Sequence, residues 1–140
     1  MREQLHKKIL PILSSLILSG CAASGAPATT IRVSMTDFAF LPSTVAVPAG
    51  EEIALTVTNN GAVAHSFAIM KLGHEISSQG HFGATDRANV LWGLEPVSPG
   101  ATSLSTFTAP AESGEYQIVC DIAGHFEAGM VGRLIVVATP

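Results

Sequence analysis

The sequence predicts an all-β domain, a sandwich or barrel of about seven to eight short strands with one long irregular insertion. Three observations carry this expectation. Apolar and polar residues alternate in short runs, turn-forming residues separate the runs, and no stretch shows a convincing 3.6-residue period. The 140 residues fit one domain. At 47% hydrophobic and 13% charged, the chain has enough apolar content to bury a core and is not a disordered composition.

The strands follow in order. Ile31, Val33 and Met35 share one parity, then Val45 and Val47, then Ile53, Leu55 and Val57. Further strands are predicted over residues 66–70, 102–108, 115–120 and 132–138. Turn signals lie between them at Pro42-Ser43, Pro48-Ala49-Gly50, Asn59-Asn60-Gly61, Pro99-Gly100 and Glu112-Ser113-Gly114. Residues 71–98 do not fit the pattern. A structureless loop of that length is rare in a compact domain, so a short helix or a packed flap is expected there. On parity, Tyr116, Ile118 and Cys120 share an inward face, and His65, Phe67 and Ile69 share another.

The first 20 residues read as a cleaved leader. Arg2, Lys7 and Lys8 precede a mostly apolar run of ten residues, Ile9 to Leu18. That is about half of what a membrane-spanning helix needs. The run ends in Leu18-Ser19-Gly20-Cys21, which resembles a bacterial lipobox. The resemblance implies cleavage before Cys21 and a diacylglycerol on its thiol. Residues 21–30 are then a lipidated N-terminus with a small, polar tether, and residues 31–140 form the domain. The nine tether residues span roughly 15–18 Å root-mean-square. An extracytoplasmic, lipid-anchored location on a bacterial membrane follows, on the periplasmic side or the cell surface.

Charge excludes one class of partner. Seven basic residues face eleven acidic ones, a net charge of −4, so no basic footprint for nucleic acid exists. Without the leader, four basic and ten acidic residues remain and the balance becomes −6. Such a domain would not adhere to anionic lipid by its own charge. Membrane contact is expected from the lipid.

The chemistry concentrates near the C-terminus. Cys120, His125 and Met130 stand at equal steps of five, with Gly124, Gly129 and Gly132 giving the backbone freedom for a tight loop. A thiolate with two imidazoles and a weak axial thioether is the ligand set of a blue-copper electron-transfer site. One further histidine is required from elsewhere in the fold. Taken singly, each residue has a plainer reading. Cys120 could be a buried core thiol or a disulfide partner of Cys21, and Met130 could be packing. His74 and His81 lie in the irregular stretch with no partner cysteine or acidic cluster at ligand spacing, and no function is assigned to them.

Cys-x4-His-x4-Met followed by Val-x-Gly-x-Leu-Ile-Val-Val resembles the last hairpin of the cupredoxins, with the loop spacing of auracyanins and rusticyanin. Asn-Asn-Gly-Ala-Val-Ala-His-Ser-Phe resembles the first-histidine segment of that family, and it implies His65 as the missing ligand. Phe38-Ala-Phe-Leu-Pro42 and Val47-Pro-Ala-Gly50 resemble its opening strands. The resemblance covers about residues 31–138. It implies a Greek-key sandwich holding one type 1 copper ion on His65, Cys120, His125 and Met130. Two departures stand out. Ser66 replaces the asparagine that many members carry after the first histidine, and Asp121 beside the ligand cysteine is unusual. Alternation from Cys120 predicts that Asp121 points away from the metal.

The implied function is single-electron shuttling by Cu(I)/Cu(II) cycling, not catalysis, since four protein ligands leave no open position for a substrate. A cytochrome, an oxidase or an electron-transport complex is the expected partner, docking near His125 on an apolar patch of Phe126, Ala128, Gly129 and Val131. The domain is expected to be monomeric. Two alternatives use the same sequence: a copper chaperone or buffer, and a metal-free sandwich serving as an interaction module.

Overall fold

The computed structural model of the protein describes residues 26–77 and 80–139. The leader, the lipobox and Cys21 lie outside them. Nine strands form two sheets among the described residues. The first sheet has the order β2-β1-β4-β7, built from β1 (Thr30–Thr36), β2 (Ala39–Leu41), β4 (Glu52–Asn59) and β7 (Thr102–Thr108). The second has the order β3-β9-β8-β5-β6, built from β3 (Thr44–Pro48), β5 (His65–Met70), β6 (Val90–Val97), β8 (Gly114–Val119) and β9 (Val131–Val137). The expected sandwich is present.

Alternation dictates which side chains enter the core. Ile31, Val33 and Met35 of β1, Ile53, Leu55 and Val57 of β4, and Leu134 and Val136 of β9 all point between the sheets and are buried. Their polar neighbours face solvent, which is the period-2 signature of a sheet wet on one face. Two pairings are parallel. Val33 sits opposite Val57 in the β1–β4 pair, and Val45 opposite Leu134 in the β3–β9 pair. The tether merges into the sheet: Ala28 N–H already donates to Ala46 C=O at 3.0 Å, two residues ahead of β1.

Strand β5 is different, being buried at all six positions. Phe67 and Ile69 face the main core, while Ala68 and Met70 face a second, smaller cluster with Ile76, Val119 and Phe126. That second cluster exists because residues 71–77 and 80–89 pack over the outer face of the sheet, with Ile76 in it and Phe82 packed against it.

Residues 71–98 are therefore less irregular than the sequence implied. They contain the short helix α1 (Ala84–Arg87) and then β6, an eight-residue edge strand paired with β5. Strand β6 was not expected, and Gly93 and Pro96 interrupt its side-chain pattern. An edge strand tolerates proline, whose missing N–H faces outward. Gly93 packs against β5, where a Cβ would lie 3.6 Å from Ala68 Cβ and from Phe67 C=O, ordinary contact distances.

Candidate metal centre

Each predicted ligand comes from a strand end at one pole of the sandwich. His65 opens β5, and Cys120 immediately follows β8. His125 and Met130 sit in the loop that leads to β9. That loop is closed at its base by Cys120 N–H donating to Met130 C=O at 3.3 Å and Met130 N–H donating to His125 C=O at 3.0 Å. Two glycines permit the turns, Gly124 at φ 85° and Gly129 at φ 97°, a region costly for residues with a side chain. Gly132 serves differently. A Cβ there would stand 2.8 Å from the Ser43 carbonyl, so its absence lets β9 approach β3.

The side chains converge. The ligand atoms of His65, Cys120 and His125 all lie within 4.8 Å of one another. His65 Nδ1 and His125 Nδ1 are 3.1 Å apart, and Cys120 Sγ is 3.4 Å from His125 Nδ1. His65 and Cys120 are fully buried at 0% exposure, whereas His125 is only half-buried. Met130 is likewise buried and belongs to the same core cluster as Cys120. Among the described residues Cys120 has no disulfide partner, and Cys21 lies outside them.

A thiol sulfur and two imidazole nitrogens facing one point form a set that suits copper in both oxidation states: soft sulfur favours Cu(I), and imidazole is at ease with either. The electrostatics agree. Burial, and next the neighbouring His65, lower the pKa of His125 while Asp37 opposes them, a balance that favours the neutral, electron-pair-donating ring.

Three supporting residues were given no role at the site by the sequence. Asp37, in the turn between β1 and β2, places Oδ1 3.2 Å from His65 Nε2 and accepts a hydrogen bond from Ala62 N–H at 2.9 Å. A carboxylate at Nε2 fixes the proton there and leaves Nδ1 free to face the metal point. The Ala62 hydrogen bond, then the His65 contact, hold the Asp37 carboxyl below its ordinary pKa. Asn59 is the second. Its Nδ2 donates to Val63 C=O and Val97 C=O, each at 2.8 Å, and its Oδ1 accepts from Gly61 N–H at 2.9 Å. This buried amide ties the loop before His65 to β6, across the gap between the two sheets. The sequence showed it as part of a turn signal and as the first residue of the first-histidine segment, without the contacts it makes. Phe38 is the third, held at φ 67° with its ring edge-on to His125 at 5.3 Å and 41% exposed.

Two sequence expectations are corrected. Phe126 is 2% exposed and belongs to the second cluster, so it is not part of an apolar surface patch. The loop turns at Gly124 and Gly129, which drives that ring inward. Ala128, Gly129 and Val131 are exposed, and Phe38 and Val63 add apolar surface from the loops that Asp37 ties together. Asp121 does not point away. Strand β8 ends at Val119, so alternation stops before it, and the carboxylate turns to Ser66 and Arg87.

His74 and His81 are outside the metal point. His74 Nε2 bonds Asp86 Oδ1 at 2.9 Å within the 71–89 segment. His81 Nδ1 reaches Glu127 Oε1 at 3.2 Å, and Phe82 N–H donates to the same oxygen at 3.3 Å, so this carboxylate clasps the segment to the ligand loop.

The family model described as the cupredoxin-like domain matches residues 8–136. The copper-resistant cuproprotein CopI of Rubrivivax gelatinosus is 31% identical over 114 residues, covering 76% of this chain and 66% of that protein. Auracyanin-B of Chloroflexus aurantiacus is 28% identical over 125 residues, covering 79% of this chain and 53% of that one. The chain thus spans about half to two thirds of the length of these relatives. Among solved structures, dithionite-reduced auracyanin from Roseiflexus castenholzii superposes with a TM-score of 0.67 at 27% identity, covering 82% of this chain and 100% of that one. On its sequence, its two-sheet fold and its converging Cys-His-His trio, the chain belongs to the cupredoxin-like domain family.

Proposed function

We propose that this protein is a single-electron carrier that binds one copper ion through Cys120 Sγ, His65 Nδ1 and His125 Nδ1, with Met130 as the weak axial donor. The observation that carries the reading is the convergence of the three ligand atoms within 4.8 Å of one another, with His65 and Cys120 buried and His125 half-buried. When bound, copper supplies a one-electron couple between Cu(I) and Cu(II). The residues of the chain do the rest. Buried β5 and the hydrogen-bonded loop hold the ligands in one arrangement, so little has to move when an electron arrives. His125, half-buried at the pole, offers the edge through which a redox partner exchanges electrons. A ligand set closed by four protein donors leaves no position for a substrate, which favours a carrier over an enzyme.

Partner docking belongs to the exposed surface around His125, for a cytochrome, an oxidase or an electron-transport complex. Lipidation at Cys21, cleavage after residue 20 and a monomeric domain on the extracytoplasmic face complete the proposal. Labelling cells with a radioactive fatty acid tests the anchor: Cys21→Ser should lose the label and release the protein from the membrane.

The similarity to CopI favours a second reading, in which the same site buffers or hands on copper. Two measurements separate the readings. A carrier shows a reversible reduction wave and keeps its copper for hours against a chelator. A buffer or chaperone surrenders copper to the chelator within the mixing time.

A further inference from the structure

Among the described residues, the sulfur of Cys120 has Ser66 as its close polar neighbour besides the histidines, and that neighbour is shared. Ser66, 1% exposed, brings its backbone N–H to 3.4 Å from Cys120 Sγ and its hydroxyl to 3.5 Å. The same hydroxyl oxygen accepts a hydrogen bond from Asp121 N–H at 2.9 Å and lies 2.5 Å from Asp121 Oδ1. A serine hydroxyl has one proton to give. A charged carboxylate oxygen at 2.5 Å is within the range of strong charge-assisted bonds, whereas sulfur at 3.5 Å is a weak acceptor. The proton therefore goes to Asp121. Arg87 fixes the carboxylate from the other side, with Nη1 2.7 Å from Oδ2 and Nη2 3.4 Å from the Asp121 carbonyl oxygen. Arg87 is itself stacked over the Phe82 ring at 5.1 Å, so the 71–89 segment supplies the anchor.

We infer that Asp121, held by Arg87, is a positioning residue that draws the Ser66 hydroxyl away from the metal-binding sulfur and so keeps the reduction potential of the site low. The physical sequence is short. A hydrogen bond donated to the thiolate withdraws electron density from sulfur, stabilises the reduced ion and raises the potential. With the hydroxyl committed to Asp121, only the Ser66 backbone N–H remains to do this. Residues 71–89 thus act on the electron carrier from outside its ligand set. The inference rests on the copper reading above, and its test fails in a different way from that reading.

The test is a double-mutant cycle in the full-length protein loaded with Cu(II), read by potentiometry and by the energy of the thiolate-to-copper band. Asp121→Ala frees the hydroxyl and removes the charge. Asp121→Asn removes the charge but leaves an oxygen that still accepts the proton. The expected result is that Asp121→Ala favours the reduced ion at least tenfold, about 59 mV for one electron, and moves the band to higher energy. Asp121→Asn shifts both less, and in a Ser66→Ala background the Asp121→Ala shift shrinks to the Asp121→Asn value. Equal shifts for the two substitutions, undiminished without the hydroxyl, would assign the effect to charge alone and overturn the inference, as would no shift at all. Should Asp121→Ala fail to hold copper, Ser66→Ala alone decides: a hydroxyl already committed to Asp121 gives the sulfur little, so its removal should change the ratio of the two ions by less than tenfold, and a shift of tenfold or more toward the oxidised ion would overturn the inference. A wild-type protein with no blue band would instead remove the copper reading itself.

Discussion

His65 starts a strand that is buried on both faces, whereas Cys120, His125 and Met130 belong to a loop and its edges, with solvent on its outer side. The first ligand is held by packing, since β5 touches the main core on one face and the second cluster on the other. Cys120 and Met130 also pack in the main core, but their loop depends in addition on a hydrogen-bonded base, two left-handed glycines and side-chain clasps from His81 and Arg87. The difference teaches where the protein is rigid and where it is adjustable. Changes to the strand half are expected to act through stability, and changes to the loop half through the properties of the metal.

The largest effect is expected inside β5. Ile69→Ala should cost about 2–5 kcal/mol, because the site is buried between packed sheets and cannot collapse around the lost atoms. Chemical denaturation checks it, and copper binding should be lost only as the fold is lost. A strand variant that stayed stable but lost its metal would break the distinction.

Next in size is the joint between the two halves. A Cβ on Gly61 would stand 2.4 Å from Asp37 Oδ1 and 3.0 Å from His65 Nε2. Gly61→Ala should therefore displace the carboxylate that orients His65, lowering copper affinity about 10–100-fold, as loss of such an outer partner does elsewhere. Competition with a chelator of known affinity measures it.

On the loop half, Ala128→Glu places a charge on the exposed surface near His125 without entering the core. Stability should move by less than about 0.5 kcal/mol. The second-order rate of electron exchange with the native partner should fall several-fold, as stopped-flow mixing would record. An unchanged rate would put docking elsewhere.

The smallest effect concerns the clasp at Glu127. Its carboxyl sits below its ordinary pKa because of its own backbone N–H, then His81 and Phe82 N–H. A lowered folded-state pKa means that the contribution is present above the unfolded value and lost as pH falls through the folded one. Exchange of the Phe82 amide proton should accelerate as pH is lowered into the carboxylate range, beyond the intrinsic trend. Glu127→Gln should remove that extra pH dependence.

Legibility in the sequence follows the same division. Strands with one wet face were readable, because alternation in Ile31-Val33-Met35 or Ile53-Leu55-Val57 is a direct print of burial on one side. Parity also placed Tyr116, Ile118 and Cys120 on one buried face. On β5, parity correctly turned Phe67 and Ile69 toward the main core but did not show that the alternate residues Ser66, Ala68 and Met70 are buried as well. In β6, Gly93 and Pro96 interrupt the side-chain pattern, and β2 is only three residues long. At the site, Cys120, His125 and Met130 were legible from their spacing within one loop, and His65 only from the resemblance of its segment to the family's first-histidine segment. Asp37, Asn59 and Phe38 were not, since they act through contacts spanning 28, 38 and 87 positions of the chain. Asp121 was misjudged because parity holds only while the strand lasts.

The copper centre is most directly tested by titrating the metal-free protein with Cu(II) while recording its visible spectrum. One equivalent should develop an intense blue thiolate-to-copper band with the narrow hyperfine splitting of such sites, and Cys120→Ser should remove the band while leaving the fold intact. A wild-type protein that stayed colourless, or a band that survived Cys120→Ser, would contradict it.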